Sequence, residues 1–98
     1  MGYLQLGILY AAKRDFPKAI ADYQKASDVS PELEEAHYRL ADAYRRIGQK
    51  TKAEYELQLY KELTKKKSEE AERERHEIQQ FVFALRDQSS ATQSHQHQ

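Results

Sequence analysis

Apolar and small residues recur at helical intervals through the first two-thirds of the chain. Tyr3, Leu6, Gly7 and Tyr10 fall at i, i+3, i+4 and i+7, and Ala19, Tyr23 and Ala26 continue the pattern after a break. That period places each set on one face of a helix. The pattern predicts a helix over about 2–13, a turn at Arg14 and Asp15, and a second helix over about 16–28. Asp15 or Phe16 is the expected N-cap, with Pro17 in the first turn, where a missing N–H costs little. Ser30-Pro31-Glu32 reads as the next start, with Ser30 capping and Glu32, Glu34 and Glu35 placed where the helix dipole favours acids. This third helix should run to about Ile47, with Gly48 as the left-handed residue beyond its end. A fourth begins near Lys50 or Thr51.

The pattern then repeats. Leu40, Ala41, Tyr44, Ala53 and Leu57 stand 34 residues after Leu6, Gly7, Tyr10, Ala19 and Tyr23, and Leu63 stands 34 after Val29. Small residues at Gly7, Ala19 and Ala26 allow two antiparallel helices to approach closely. Tyr3, Leu6, Tyr10 and Tyr23 supply the bulk around them. The set Tyr3, Leu6, Gly7, Tyr10, Ala19, Tyr23, Ala26 and Pro31 resembles the tetratricopeptide repeat, a 34-residue helix–turn–helix unit. The resemblance covers about residues 1–64, as repeats 1–33 and 34–64. His37, Tyr60 and Lys65 depart from it, standing where the pattern has an aromatic, a small residue and a proline.

This resemblance implies an all-α fold of helix–turn–helix hairpins, a fragment of an α-solenoid, that binds other proteins. It assigns the concave face to Leu4, Ile8, Ala11 and Ala12 in the first repeat, and to Tyr38, Asp42, Arg45 and Arg46 in the second. Leu4 and Ile8 stand where chaperone-tail-binding members carry Lys and Asn, so a carboxylate clamp is not expected. Solenoids usually need about three repeats and polar ends. Two repeats that begin almost inside a helix look like one end of a longer array, or an excerpt of one.

Beyond Leu63 the character changes. Residues 64–77 contain a single apolar side chain, Ala71, among ten charged ones. Glu74 and Arg75 would occupy the Leu-Gly slot of a third repeat and cannot pack there. Opposite charges at i, i+4 (Lys65 and Glu69, Lys66 and Glu70, Glu69 and Arg73, Arg73 and Glu77) favour a helix by about 0.2–0.5 kcal/mol each. The fourth helix is therefore expected to run unbroken from about Lys50 to Arg86, against a competing break at Ser68. Helix would then cover roughly two-thirds of the chain, above the usual ~30–35%. Ile78, Phe81, Val82 and Leu85 restore an apolar stripe at helical spacing, with Phe83 off it. Residues 88–98, uncharged and nearly without apolar groups, are expected to form a disordered tail.

Composition narrows the function. Sixteen basic groups balance 16 acidic ones, so no net field draws in nucleic acid or an anionic membrane. The Lys65–Lys67 triplet is followed at once by Glu69, Glu70 and Glu72. No apolar run approaches the ~20 residues that span a bilayer, and the N-terminus lacks the basic start of a secretory signal. The absence of cysteine removes disulfides and thiolates and fits, without requiring, the cytoplasm. Glu34-Glu35 and Glu69-Glu70 are helix neighbours that point apart, and Ser27, Ser30 and Ser68 have no histidine partner at a usable spacing. His37, His76, His95 and His97 form no set of three or four metal ligands. No catalysis, cofactor or metal is expected.

The expected function is a non-catalytic protein-interaction module that takes an apolar or amphipathic segment at Leu4, Ile8, Ala11, Tyr38, Asp42 and Arg45. The alternative is a structural element that dimerises through Tyr60, Ile78, Phe81, Val82 and Leu85. A phenol at Tyr60 should not fit the close seam that Ala26 permits, and is expected to turn towards a neighbouring surface. A straight helix would carry the Ile78–Leu85 stripe ~21 Å past the hairpins, within reach of another chain. An RNA-reading repeat would need polar base-reading side chains, and Leu4 and Ile8 argue against it.

Overall fold

The computed structural model describes the backbone of residues 2–96 and the side chains of residues 2–88. Four helices succeed one another: α1 (Tyr3–Ala12), α2 (Phe16–Val29), α3 (Glu34–Arg46) and α4 (Lys50–Gln96). The described residues contain no strand. The chain divides into two compact units, residues 1–65 and 66–98.

The core of the first unit is built on close approach. Gly7 is the buried residue of α1. A Cβ placed there would overlap Cδ1 and Cε1 of the Tyr23 ring and come within 3.2 Å of the Ala19 carbonyl. Tyr23 and Leu40 are the largest side chains fully removed from solvent, and with Ala19, Ile20, Ala43, Tyr44 and Ala53 they make one cluster. Leu4, Ile8, Tyr10, Ala11 and Phe16 pack against it half-buried. Tyr3, expected to fill the seam, is instead exposed, with Lys25 of α2 5.6 Å from its ring centre.

The same device ends both first helices of the hairpins. Beyond α1, Arg14 N–H donates to Ala11 O at 2.9 Å and Asp15 N–H to Tyr10 O at 2.8 Å. Beyond α3, Gly48 N–H donates to Arg45 O at 3.1 Å and Gln49 N–H to Tyr44 O at 2.9 Å. Both are Schellman closures, which need a left-handed residue after the helix. Gly48 takes φ +80° freely, whereas Arg14, 34 residues earlier, is held at φ 62°. A side chain there costs about 1–2 kcal/mol, so the turn is kept by its two hydrogen bonds and the packing they close.

The starts differ in one respect from the sequence reading. Asp15 caps α2, its Oδ1 accepting from Lys18 N–H at 3.4 Å, with Pro17 just inside. Ser30 does not cap α3. It is the C-cap of α2, its N–H bound to Ala26 O, and its own carbonyl accepts from Leu33 N–H at 3.0 Å. Pro31 thus occupies the second position of a β-turn, a place its fixed φ suits as well as a helix start. α3 begins three residues later than Pro31, with Glu34 and Glu35 in its first turn and Arg45 and Arg46 in its last. Those charges match the helix dipole at both ends.

α4 runs without a break through Ser68, and it does not stop near Arg86. Residues 88–96 of the expected tail are helical, and 97 and 98 lie outside the described residues. The reason is that neither Gly nor Pro occurs anywhere in the sequence after Gly48. A segment that buries nothing can still be helical when nothing terminates it. In the second unit every described side chain from Lys66 to Gln88 is exposed.

Two consequences can be measured. Gly7→Ala should lower stability by about 1–3 kcal/mol in urea unfolding, as overpacked cores do. Intrinsic helix propensity alone would raise it by ~1 kcal/mol, so the sign reports the Tyr23 contact. The second consequence concerns alkaline pH. Burial raises the Tyr23 and Tyr44 phenols above the ordinary tyrosine value, Glu56 adding to the effect at Tyr44 and Arg39 opposing it at Tyr23. The unfolded chain therefore releases these protons first. Their contribution should be complete below about pH 10 and lost as pH rises through the folded values. The urea midpoint should fall above ~10, less so in Tyr44→Phe.

Candidate functional site

An open cleft of about 300 Å³ lies between α3 and the beginning of α4. α3 contributes Tyr38, Ala41, Asp42 and Arg45, and α4 contributes Lys50, Ala53, Glu54 and Leu57. Each set falls at i, i+3, i+4 and i+7, so the cleft is the meeting of two helical stripes. Ala41 and Ala53 are buried and make its floor; their small side chains let the two helices leave a furrow. Leu57 and Tyr38 give it apolar walls.

Charges form its rim. Asp42 accepts from Arg45 Nη2 at 2.7 Å and from Arg46 Nε at 3.1 Å, which holds Arg45 beside the cleft. Surface pairs of this kind stabilise little, and their effect is to fix where charge is presented. Lys50 and Glu54 supply one further charge of each sign. Tyr38 in turn packs on Tyr60 of α4, the ring centres 5.2 Å apart and the planes at 53°. Tyr60 therefore does not turn away from its own hairpin. It uses its bulk on a tyrosine that a small residue could not touch, a contact worth about 0.5–1.5 kcal/mol beyond area burial.

Behind the cleft, His37 joins three segments. It is 7% exposed; its Nδ1 lies 2.7 Å from Glu56 Oε2 on α4 and its Nε2 3.0 Å from Pro31 O in the turn before α3. An aromatic hydrocarbon at this position would fill the same space without tying α3 to α4. The histidine's departure from the repeat pattern was legible in the sequence. Its partner Glu56 was not, because nothing in the spacing distinguishes it from Glu54 or Glu62.

The structure describes the six residues expected to form one groove in two settings. Tyr38, Asp42 and Arg45 line the cleft. Leu4, Ile8 and Ala11 are half-buried and packed against the core cluster. The residues that the sequence reading missed are Lys50, Ala53, Glu54 and Leu57. A signal for them existed: 34 residues earlier stand Phe16, Ala19, Ile20 and Tyr23, as Leu4, Gly7, Ile8 and Ala11 stand before the α3 half. In the first repeat these positions are the seat against which Leu40, Ala43 and Tyr44 of α3 pack. The cleft is the same seat, one repeat later. In the second unit, Ile78, Phe81, Val82 and Leu85 are exposed.

Two family models match in overlapping registers: one described as TPR repeat over residues 7–48, the other as Tetratricopeptide repeat over residues 34–67. The chain belongs to the tetratricopeptide repeat family. No curated protein matches it alongside these. Tetratricopeptide repeats generally mediate protein–protein interaction and are typically non-catalytic. Among the described residues no group of three or more His, Asp or Glu could hold a metal, and no helix is long and apolar enough to cross a membrane.

The His37 arrangement can be tested apart from binding. Glu56→Leu leaves a buried ring nitrogen without a partner and should cost about 1–3 kcal/mol. The same change in a His37→Phe background should cost much less, giving a coupling energy in a urea double-mutant cycle.

Proposed function

We propose that the protein is a helix-receiving interaction module whose binding surface is the cleft between α3 and the start of α4. The observation that carries this reading is the repeat register. In the first repeat the corresponding residues are covered, and their cover includes an amphipathic helix, α3. In the second they are open.

The ligand is then an amphipathic helix with an apolar stripe narrow enough for the Ala41 and Ala53 floor. Helix-in-groove recognition relies on a few apolar anchors, with specificity from the surrounding charges. Here Asp42, Arg45, Lys50 and Glu54 replace the apolar or aromatic residues Ile8, Ala11, Phe16 and Ile20. This seat therefore selects a partner with charges flanking its stripe, which the first seat does not. The polar rim also limits how tightly an uncharged helix can be held, because each charge it covers must be desolvated.

A probe comes from the chain itself. A labelled peptide of the α3 sequence, Glu34–Arg46, should bind saturably in a Phe81→Glu, Leu85→Glu background, which removes the chain's own exposed apolar stripe from competition. Fluorescence anisotropy reads the affinity. Leu57→Glu in the cleft should weaken it about tenfold or more, the loss expected for one apolar anchor. Absence of binding at high micromolar peptide would overturn the helix-receiver reading.

A further inference from the structure

We propose that the cleft's occupant is a second copy of this chain, which enters by the Ile78–Leu85 stretch of its α4. The inference rests on the reading of the cleft as a helix receiver and names its partner.

The first repeat defines what an occupant must carry. α3 inserts Leu40, Ala43 and Tyr44 into the core cluster, a large, a small and a large side chain at n, n+3 and n+4. Phe81, Ala84 and Leu85 have the same sizes at the same spacing, and all three are exposed. One constant offset relates the two triplets, and it brings Ile78 onto the buried position of His37. α4 thus carries, near its C-terminal end, a copy of the pattern that fills the first seat.

Charge agrees with the match. In the first repeat the Arg46 guanidinium lies 5.6 Å from the centre of the Phe16 ring. The same offset replaces Arg46 by Asp87. The repeat register replaces Phe16 by Lys50. A cation over an aromatic ring becomes a carboxylate opposite an ammonium, so both sides of the contact have changed together into a complementary pair.

The occupant is a second copy on grounds of economy. Lys50, Ala53, Glu54 and Leu57 belong to α4, and so do Phe81, Ala84 and Leu85; α4 is helical throughout Lys50–Gln96, and a second copy supplies the stretch with no break in that helix. Each copy offers one seat and one inserting stretch. Mutual exchange about a two-fold axis uses both and closes the assembly at two chains.

Light scattering on the full chain across a dilution series tests this. The wild type should be a dimer at micromolar concentration. Phe81→Glu with Leu85→Glu should be a monomer of unchanged helicity, since both side chains are exposed in the single chain, and its thermal midpoint should no longer depend on protein concentration as the wild type's does. Lys50→Glu, also at an exposed position, should weaken the dimer about fivefold or more, and adding Asp87→Lys should restore it. Leu57→Glu and the Phe81→Glu, Leu85→Glu variant, each monomeric alone, should pair when mixed, because one keeps the stretch and the other the seat.

Three outcomes overturn the proposal. One is a wild type that stays monomeric at high micromolar concentration. A second is a dimer that Leu57→Glu and Lys50→Glu leave untouched, which assigns association to stripe-on-stripe pairing of two α4 helices. The third is failure of Asp87→Lys to rescue Lys50→Glu. Should the α3 peptide bind while the wild type remains monomeric, the cleft still receives helices, but its occupant is another protein.

Discussion

The Tyr23 ring lies where any side chain on Gly7 would stand, and the first unit is arranged around that contact. A glycine at this point lets α1 and α2 close until the ring is covered, and covering the ring moves the Ala19 face into the position where α3 must pack. Leu40, the other fully buried large side chain, then meets a surface whose depth was set by Gly7. Interiors packed to crystal density do not adjust such depths cheaply. The same physics explains why small residues recur at Ala41 and Ala53. They are the second instance of the close approach, and they leave a furrow where the first instance has a filled core.

What the sequence disclosed depends on which interactions are periodic. Gly7, Ala19 and Tyr23 repeat as Ala41, Ala53 and Leu57, so the hairpins were legible. The left-handed φ of Gly48 was legible too, since glycine is the residue that adopts it without strain. Arg14 at the equivalent place carries no such mark, because a surface arginine looks the same in a turn and on a helix. Contacts between non-periodic positions stayed hidden. Nothing local links His37 to Glu56 or Tyr38 to Tyr60. Sterics alone would expel Tyr60 from its hairpin, but exposed Tyr38 offers it a second aromatic face.

The boundaries show a different limit. Ser30-Pro31-Glu32 satisfies the rules for a helix start and for a β-turn alike, and only the Leu33 N–H to Ser30 O bond decides between them. Residues 88–96 are helical although their low apolar content suggests disorder. Apolar content governs whether a segment can bury surface. Whether it is helical depends on terminators and propensity, and past Gly48 there are no terminators.

The candidate surface was half legible for a physical reason. Concave-face assignment by family resemblance treats each repeat alike, but the environment of a repeat depends on the element that comes next in the chain. Leu4, Ile8 and Ala11 precede another hairpin and pack against the core, while their equivalents Tyr38, Asp42 and Arg45 precede α4, after which no further hairpin follows among the described residues. Side chains at these positions reflect that difference. Where α3 packs, the seat is Ile8, Phe16 and Ile20. Where the seat stays open to solvent, it is Asp42, Lys50 and Glu54. The surface open to water carries charge, and the apolar floor beneath it has been kept. On the proposed reading, the apolar wall kept at Leu57 beside a charged rim is the part of the cleft that would meet a partner.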